Sequence, residues 1–460
     1  MCRKKTMAPS RYCESPAFRR LCYLFVAADK FESRSIGKRR PWTSSRQQSA
    51  SEIPDWSLVA SVSISRAEDL IFTKRRLSLW GYSFLAANLS AFAIRSSTGK
   101  WLIDTAGRPL INDFLDWWVG GQFGLTRDAV GAYNYPTFAA AQALALKSTH
   151  PVTFYHWVYP PTMLLLFAPF ARLTYVAAFF AWIAVTLSLY VIALYEILPY
   201  SLSIVIALLP LPVVKNIFNG QTSFLMAGLL GLSMVFIGRR PYLAGMFLGI
   251  LTYKPQFVLF FPVALLITGQ WRVIAGAIAS ASILFGATAL AFGPNAWLLY
   301  LRASKELNPT TFLPPPFNLA YVNQTVLGLM HEIGAGMTIA WVVHLAVALL
   351  ATALACQIWM RPVPHSLKAA AFSIGVLTVT PYMLAYDLTA LSVPALFLVR
   401  DALAHGFIPG ERFVLMGCFL ALFLCFDFAV GPIILLALMG LVVRRVRYST
   451  NTSAAIAAVS

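Results

Sequence analysis

Long apolar runs recur along this sequence from residue 77 to residue 443. The stretches 175–195 and 337–360 contain no Asp, Glu, Lys or Arg. Each is long enough to cross a bilayer as a helix, because about 20 residues suffice. Charged residues make up only 12% of the chain, against about 25% in soluble domains. The sequence therefore excludes a soluble enzyme, a disordered scaffold and an ordinary nucleic-acid-binding protein. It predicts an all-α polytopic integral membrane protein.

The first 76 residues differ in composition from the rest. They hold 16 Lys/Arg against 7 Asp/Glu, and their one apolar patch, 21–28, is too short to span a bilayer. We expect 1–76 to be a basic, disordered cytoplasmic tail, and a mis-assigned start codon is the alternative. Residues 77–447 form the expected membrane domain, and 448–460 a cytoplasmic C-terminal tail. The excess of Lys and Arg indicates cytoplasmic loops rather than a nucleic-acid site.

The apolar segments and the positive charges between them predict a topology. The segments are 77–94, 158–172, 175–196, 200–218, 221–238, 241–253, 255–269, 273–292, 337–360, 368–385, 387–400, 412–429 and 431–443. The positive charges fit about 12 transmembrane helices if 200–218, which contains Pro210-Leu211-Pro212, is a broken or re-entrant element. Both termini are then cytoplasmic, and we expect the chain to lie in a bacterial inner membrane. Two long loops, 95–157 and 293–336, lie on the non-cytoplasmic face.

Acidic residues are rare after residue 76, so each one is informative. Residues 77–460 contain 11 Asp and Glu. Asp113 and Asp116 lie in the first long loop, next to Trp117 and Trp118. Either carboxylate is a candidate general base near the lipid headgroups, where it would take a proton from an acceptor hydroxyl. The alternative is structural, with Asn112 or Asp113 capping a helix.

Other polar groups lie between the apolar runs. Lys254 has no Asp or Glu within forty residues, and it would either pair with a lipid phosphate or snorkel to the headgroups. His156 is either an interfacial hydrogen-bonding residue or a catalytic one, and Asp387 is either a helix cap or a binding residue. The candidates for binding phosphate or sugar are Lys254, His156, Gln256, Gln221, Asn219, Arg302, Lys305, Tyr159 and Asp387.

Several familiar motifs are missing from the sequence. No P-loop, GxGxxG, HExxH or GxSxG stands in a suitable context, so neither a nucleotide-driven pump nor a zinc protease is indicated. The six cysteines show no CxxC pair, which predicts free thiols. No metal-ligand cluster is visible, so we expect no metal and no other cofactor.

The order of the polar motifs resembles a known family. The motifs are Asp113-Phe114, Tyr159-Pro160-Pro161, Asn219-Gly220-Gln221, Gly238-Arg239-Arg240-Pro241, Leu243-Ala244-Gly245, Lys254-Pro255-Gln256, Asn323-Gln324-Thr325, Thr380-Pro381-Tyr382 and Tyr386-Asp387. This set is similar to glycosyltransferase family 87 over residues 77–447. Its best-known relatives are mycobacterial polyprenyl-phosphate-mannose-dependent mannosyltransferases. The resemblance implies a fold of the GT-C class of membrane glycosyltransferases.

The resemblance also implies a reaction. A hexose, most simply mannose, would pass from a polyprenyl-phosphate sugar to a lipid or glycan acceptor hydroxyl on the non-cytoplasmic face, with inversion. Asp113 is the implied base, with Asp116 in reserve. Some GT-C relatives carry an acidic pair, whereas the acids here stand three residues apart. Cationic groups would hold the leaving phosphate, and we rank them Lys254, His156, Arg302 and Lys305.

A competing class is a transporter or flippase for lipid-linked sugars or other small molecules. Many spans with isolated polar groups at helix ends suit that function as well. The acids lie in the long outer loops rather than at the membrane midplane, which favours a transferase. A purely structural membrane subunit would leave those two loops unexplained.

Overall fold

The computed structural model describes residues 56–110, 112–147, 156–306 and 323–459, and these ranges are helical and contain no β-strand. Numbered along the chain, the α-helices of these ranges are α1 (Trp56–Ile71), α2 (Lys74–Ser97), α3 (Asp113–Thr126), α4 (Ala129–Tyr133), α5 (Tyr135–Leu146), α6 (Pro161–Phe167), α7 (Tyr175–Ile197), α8 (Ser201–Ala207), α9 (Leu211–Asn219), α10 (Ser223–Phe236), α11 (Pro241–Ile250), α12 (Phe260–Ile267), α13 (Trp271–Phe292), α14 (Asn295–Glu306), α15 (Val326–Glu332), α16 (Met337–Met360), α17 (His365–Val379), α18 (Ser392–His405), α19 (Glu411–Ala421) and α20 (Gly431–Val459). Short 3₁₀ helices lie at Phe170–Arg172, Leu251–Tyr253, Pro255–Phe257, Ala385–Leu391 and Leu422–Leu424.

Five helical stretches of the described chain are long and apolar enough to cross a membrane. They are α2, α7, α13, α16 and the stretch Ala385–His405, which contains α18. Helices α8 and α9 together make a sixth candidate, but they are bent by 71°. The bend falls at the predicted break, because Pro210 and Pro212 flank the start of α9 and a proline cannot donate a backbone hydrogen bond. Four shorter apolar stretches, containing α10, α11, α12 and α17, complete the bundle.

Other predicted crossings are shorter than expected. Residues 158–172 form the seven-residue α6 and a 3₁₀ turn, because prolines begin the helix and follow it. Residues 412–429 form the 11-residue α19 and another short turn. Neither stretch provides the ~20 helical residues that a full crossing needs. The described chain thus does not reproduce twelve full-length helices, and the number and sidedness of crossings stay predictions.

The structure describes the last part of the predicted tail, residues 56–76. Residues 1–55 lie outside the described part of the chain, but residues 56–71 form α1. The Arg412 backbone N donates to Glu68 Oε1 at 3.0 Å, and the Arg412 guanidinium pairs with Asp69. These contacts tie α1 to the start of α19. The sequence pattern missed them because both partners are polar and 343 or more residues apart.

Helix α10 lies at the centre of the bundle, where 12 of its 14 residues are buried. Helices α11 and α17 begin beside its C-terminal end; His365, the first residue of α17, is hydrogen-bonded to the Met234 carbonyl at 2.8 Å. Close packing depends on small residues, as is usual between membrane helices. At Gly245 of α11, a Cβ would collide with the Val273 carbonyl oxygen of α13. Helices α10, α11 and α17 thus run between two opposite ends of the bundle.

A buried charge cluster ties α18, α19 and α20 together. Arg445 Nη1 donates to Asp401 Oδ2 at 2.7 Å, and its other nitrogens donate to both oxygens of Glu411. All three side chains are buried. The neighbouring Arg444 is exposed. Cysteines 356, 418 and 425, the ones that the structure describes, are free thiols, as predicted.

Candidate functional site

The first carboxylate of the site stands at the start of α3. Asn112 is the N-cap of this helix, and its Oδ1 accepts from the Leu115 backbone N at 3.2 Å. The Tyr175 hydroxyl donates to the same oxygen at 2.8 Å and so holds the cap. Since Asn112 takes the capping role, the Asp113 side chain is not used to begin the helix.

The Asp113 carboxylate is held by two side-chain amides. Gln221 Nε2 donates to Asp113 Oδ2 at 2.7 Å, and Asn219 Nδ2 donates to the same oxygen at 3.2 Å. Asp113 Oδ1 accepts no hydrogen bond from the residues that the structure describes. The carboxylate therefore has one anchored oxygen and one that has no hydrogen-bond partner among the described residues.

Both amides come from the short connection between α9 and α10. Gly220 ends α9 with φ +66°, a left-handed conformation that suits glycine. A Cβ at this position would lie 2.7 Å from the Phe114 Cβ. The Gly220 carbonyl also accepts from Trp182 Nε1 at 3.0 Å. Glycine thus brings the connection against α3, where Asn219 and Gln221 reach Asp113.

The second carboxylate, Asp116, lies one turn further along α3. Its Oδ1 accepts a hydrogen bond from Gln142 Nε2 of α5. Burial raises the pKa of Asp116 well above its ordinary value, and the negative charge of Asp113 adds to that rise. Burial also raises the pKa of Asp113, but hydrogen bonds from Gln221 and Asn219 and the charge of Lys254 oppose the rise. Asp113 is therefore the carboxyl that ionises more readily of the two.

A buried ion pair lies next to this cluster. Lys254 Nζ is 2.7 Å from Asp387 Oδ1, and both side chains are at most 5% exposed. The Ser223 hydroxyl donates to Asp387 Oδ1 at 2.7 Å, and the Leu384 backbone N donates to Asp387 Oδ2 at 3.3 Å. Lys254 follows the 3₁₀ turn after α11, and Asp387 lies in the 3₁₀ helix before α18. Two helix interruptions thus meet at the N-terminus of α10.

Tyr159 also lies close to the two aspartates. Its ring centroid is 4.0 Å from that of Trp117, which follows Asp116, and its carbonyl accepts from the Tyr133 hydroxyl at 2.7 Å. Gln256 is half-buried, two residues after Lys254. The structure therefore brings Asp113, Asp116, Asn219, Gln221, Lys254, Asp387 and Tyr159 into one region.

The remaining predicted residues lie at the edge of the site. His156 is exposed and stacks on the Tyr135 ring with centroids 3.9 Å apart, and partial burial lowers the pKa of its imidazole. Arg302 and Lys305 are exposed on α14. That helix reaches the first loop through Tyr300, whose ring centroid is 6.4 Å from that of Tyr133. None of these three side chains contacts Asp113 or Asp116 among the described hydrogen bonds and ion pairs.

Three contributors were not among the predicted site residues: Gln142, Ser223 and Tyr175. Gln142 is the one strongly polar residue inside the apolar part of α5, and that was an available signal. Ser223 stands two residues after Gln221, but nothing in the sequence connects it to Asp387, 164 residues away. Tyr175 looked like the first residue of a span rather than the partner of a cap.

The Asn323-Gln324-Thr325 motif has a structural role. Asn323 Nδ2 donates to the Pro381 carbonyl at 3.1 Å, and Gln324 Nε2 donates to the Cys425 carbonyl at 2.7 Å. Asn323 is only 8% exposed. The motif holds residues 380–384 in place, and these residues precede the 3₁₀ helix that contains Asp387.

No group of three or more His, Cys, Asp or Glu side chains comes together as a metal site within the described ranges. A reaction without a metal stays a prediction.

Comparison with known proteins gives the family. Residues 157–385 match the model of glycosyltransferase family 87. The match contains Tyr159, Asn219, Gln221 and Lys254, while Asp113 and Asp387 lie outside it. No curated protein and no solved structure matches the chain. The helices that are long enough to span a membrane agree with the family match. The match to glycosyltransferase family 87 over residues 157–385, together with these helices, indicates a membrane glycosyltransferase.

Proposed function

We propose that the chain transfers a hexose, mannose by family resemblance, from a polyprenyl-phosphate sugar to a hydroxyl of a lipid or glycan acceptor. Asp113 acts as the general base on the non-cytoplasmic face, and the anomeric configuration is inverted. The observation that carries the proposal is the Asp113 carboxylate, anchored through Oδ2 by Gln221 and Asn219 while Oδ1 has no hydrogen-bond partner among the described residues.

The electrostatics favour Asp113 over Asp116 as the base. A general base works best when its pKa is near the working pH, with its charged form still populated. Burial raises the pKa of both carboxyls, but only Asp113 has two amide donors and a nearby lysine charge to oppose the rise. Asp116 more readily keeps its proton. In that form it is a hydrogen-bond donor, and it orients a substrate rather than deprotonating one.

Proton transfer and bond exchange balance in this scheme. The acceptor hydroxyl gives its proton to Asp113 Oδ1 while its oxygen attacks the anomeric carbon. The bond from that carbon to the phosphate oxygen breaks, and the electron pair leaves with polyprenyl phosphate. The leaving group is a stable anion, so no general acid is required. Lys254 has three N–H donors, of which Asp387 accepts one, so the others are available to the phosphate.

Two buried polar atoms near Asp116 suit a sugar. Trp117 Nε1 and Gln142 Oε1 have no hydrogen-bond partner among the described residues. Such groups cost free energy unless they are paired, and sugar hydroxyls both donate and accept. Both atoms are fully buried, so a sugar hydroxyl would reach them only after the surrounding side chains move.

A transfer assay with purified protein in nanodiscs tests the proposal. Radiolabelled polyprenyl-phosphate mannose and a crude lipid extract are incubated with wild type, Asp113→Asn or Asp104→Asn. Asp113→Asn should lower transfer by about 10²–10⁴-fold, the usual contribution of a general base. Asp104→Asn is the matched control, because Asp104 lies in the same loop in a partly exposed pair with Arg108. Full transfer by Asp113→Asn would exclude it as the base, and unchanged label crossing sealed vesicles would indicate a transporter.

A further inference from the structure

A cavity lies at the opposite end of the bundle from Asp113. Its volume is about 530 Å³, within the range of ligand sites. Helix α10 begins at Ser223, which contacts Asp387, and ends at Phe236, just before the lining residues Ile237 and Gly238. At 1.5 Å per residue this helix separates the two regions by about 21 Å. The cavity therefore does not belong to the site built around Asp113.

The cavity is basic. Its polar and aromatic lining includes Gln270, Trp271, Arg272, Trp359, His365 and Lys368. None of the described residues that line it is Asp or Glu. The charges of Arg400, Arg239 and Lys368 also act on His365, so positive charge accumulates around its mouth. Asp401 lies nearby, 3.2 Å from the Ser366 hydroxyl, but it is buried and paired with Arg445, which also pairs with Glu411. The cavity is thus suited to an anion.

The cavity is also amphipathic. Trp271 is 64% exposed at the start of α13, and Trp359 lies at the end of α16. Tryptophan at the ends of membrane helices marks the level of the lipid headgroups. Arg239, Arg240 and Arg361 lie at the same ends of the bundle helices. A basic pocket between helix ends at headgroup level is where acidic headgroups bind.

We propose that this cavity binds the phosphate group of an anionic lipid, with Arg272 and Lys368 as its two cationic contacts and the tryptophans against the glycerol and upper acyl chain. The same cations would accept a soluble phosphate, so the test separates the two sources. This inference does not depend on the sugar-transfer reaction, and its test measures no sugar transfer.

Native mass spectrometry of the detergent-purified chain measures the binding directly. Wild type is titrated with phosphatidylglycerol, with phosphatidylcholine and, without lipid, with inorganic phosphate. Wild type should retain phosphatidylglycerol in preference to phosphatidylcholine. Arg272→Gln/Lys368→Gln should weaken that binding by roughly 30-fold, since each cation near an acidic lipid contributes about fivefold. Arg240→Gln/Arg361→Gln removes the same charge at the same end, outside the lining, and should bind like wild type.

A second variant tests the same cavity independently, in case the first variant misfolds. Gly238→Leu keeps both cations but fills part of the cavity. A side chain has room at this position, because a Cβ there would lie 3.9 Å from its nearest neighbour, the His365 side chain. Gly238→Leu should weaken phosphatidylglycerol binding as well. Binding of inorganic phosphate that Arg272→Gln/Lys368→Gln loses, with no retention of phosphatidylglycerol by wild type, would assign the site to a soluble phosphate. Equal binding by wild type and both cavity variants, or an equal loss in the control, would overturn the proposal.

Discussion

Lys254 and Asp387 form a buried ion pair with 2.7 Å between Nζ and Oδ1, although 133 residues separate them. The pair joins the interruption after α11 to the interruption before α18. It also supplies the positive charge that lowers the pKa of Asp113 against the effect of burial. The same lysine therefore has a structural partner and an electrostatic effect on the proposed base.

Separating the two partners should destabilise the fold. Lys254→Met leaves Asp387 buried without its counter-charge, so we expect unfolding to become easier by about 3–5 kcal/mol. Lys254→Met/Asp387→Leu removes both charges and should recover much of that loss. Thermal unfolding in detergent measures each variant. An unchanged midpoint for Lys254→Met alone would mean that the pair contributes nothing to stability.

The pH dependence of transfer should change when the side-chain amides that donate to Asp113 are removed. The base is active when deprotonated, so activity is lost as the pH falls through the pKa of Asp113. Gln221 stabilises the charged form, so Gln221→Ala should raise this pKa and move the acidic limb of the pH–rate profile to higher pH. Asn219→Ala should shift the limb in the same direction, and less, because its bond is longer.

Gln122→Ala is the matched control, since Gln122 lies on α3 and makes no described side-chain hydrogen bond to either aspartate. Its acidic limb should coincide with that of wild type. A limb that stays in place in Gln221→Ala, together with loss of transfer in Asp116→Asn, would identify Asp116 as the base.

Two adjacent arginines should differ sharply in their effect on stability. Arg445→Met leaves Asp401 and Glu411 buried without a counter-charge and should destabilise the chain by about 3–5 kcal/mol. Arg444→Met changes an exposed residue and should alter stability by about 0.5 kcal/mol or less. Thermal unfolding of both variants under the same conditions makes the comparison. Similar midpoints for the two variants would show that the buried cluster does not hold α18, α19 and α20 together.

Sequence patterns predicted some of these features well. Apolar runs located the long helices, and α16 has the predicted bounds, Met337–Met360. The prolines at 210 and 212 located the bend between α8 and α9. Asp113 stood out because acidic residues are rare after residue 76. Lys254 stood out because no Asp or Glu lies within forty residues of it. Each of these predictions used a local property, which one stretch of chain carries by itself.

Long-range pairing was not available from a single sequence. Lys254 looked isolated because its partner is remote, and nothing connected Gln142 to Asp116 or Ser223 to Asp387. Continuous apolarity also concealed helix interruptions. Residues 241–269 read as two crossings, but the chain turns through two 3₁₀ helices around Lys254. Those interruptions are where the polar side chains of the site come from.

The shortness of α10, α11 and α17 affects how a substrate would reach this site. These helices have 14, 10 and 15 residues and are about 21, 15 and 22 Å long, against a hydrocarbon layer of about 30 Å. If their far ends are level with the headgroups, Asn219, Lys254 and Asp387 lie several ångströms below the opposite surface of that layer. The lipid chain of the proposed donor would then stay dissolved among the acyl tails while its phosphate reaches Lys254. The acceptor hydroxyl would have to descend from the water to meet it.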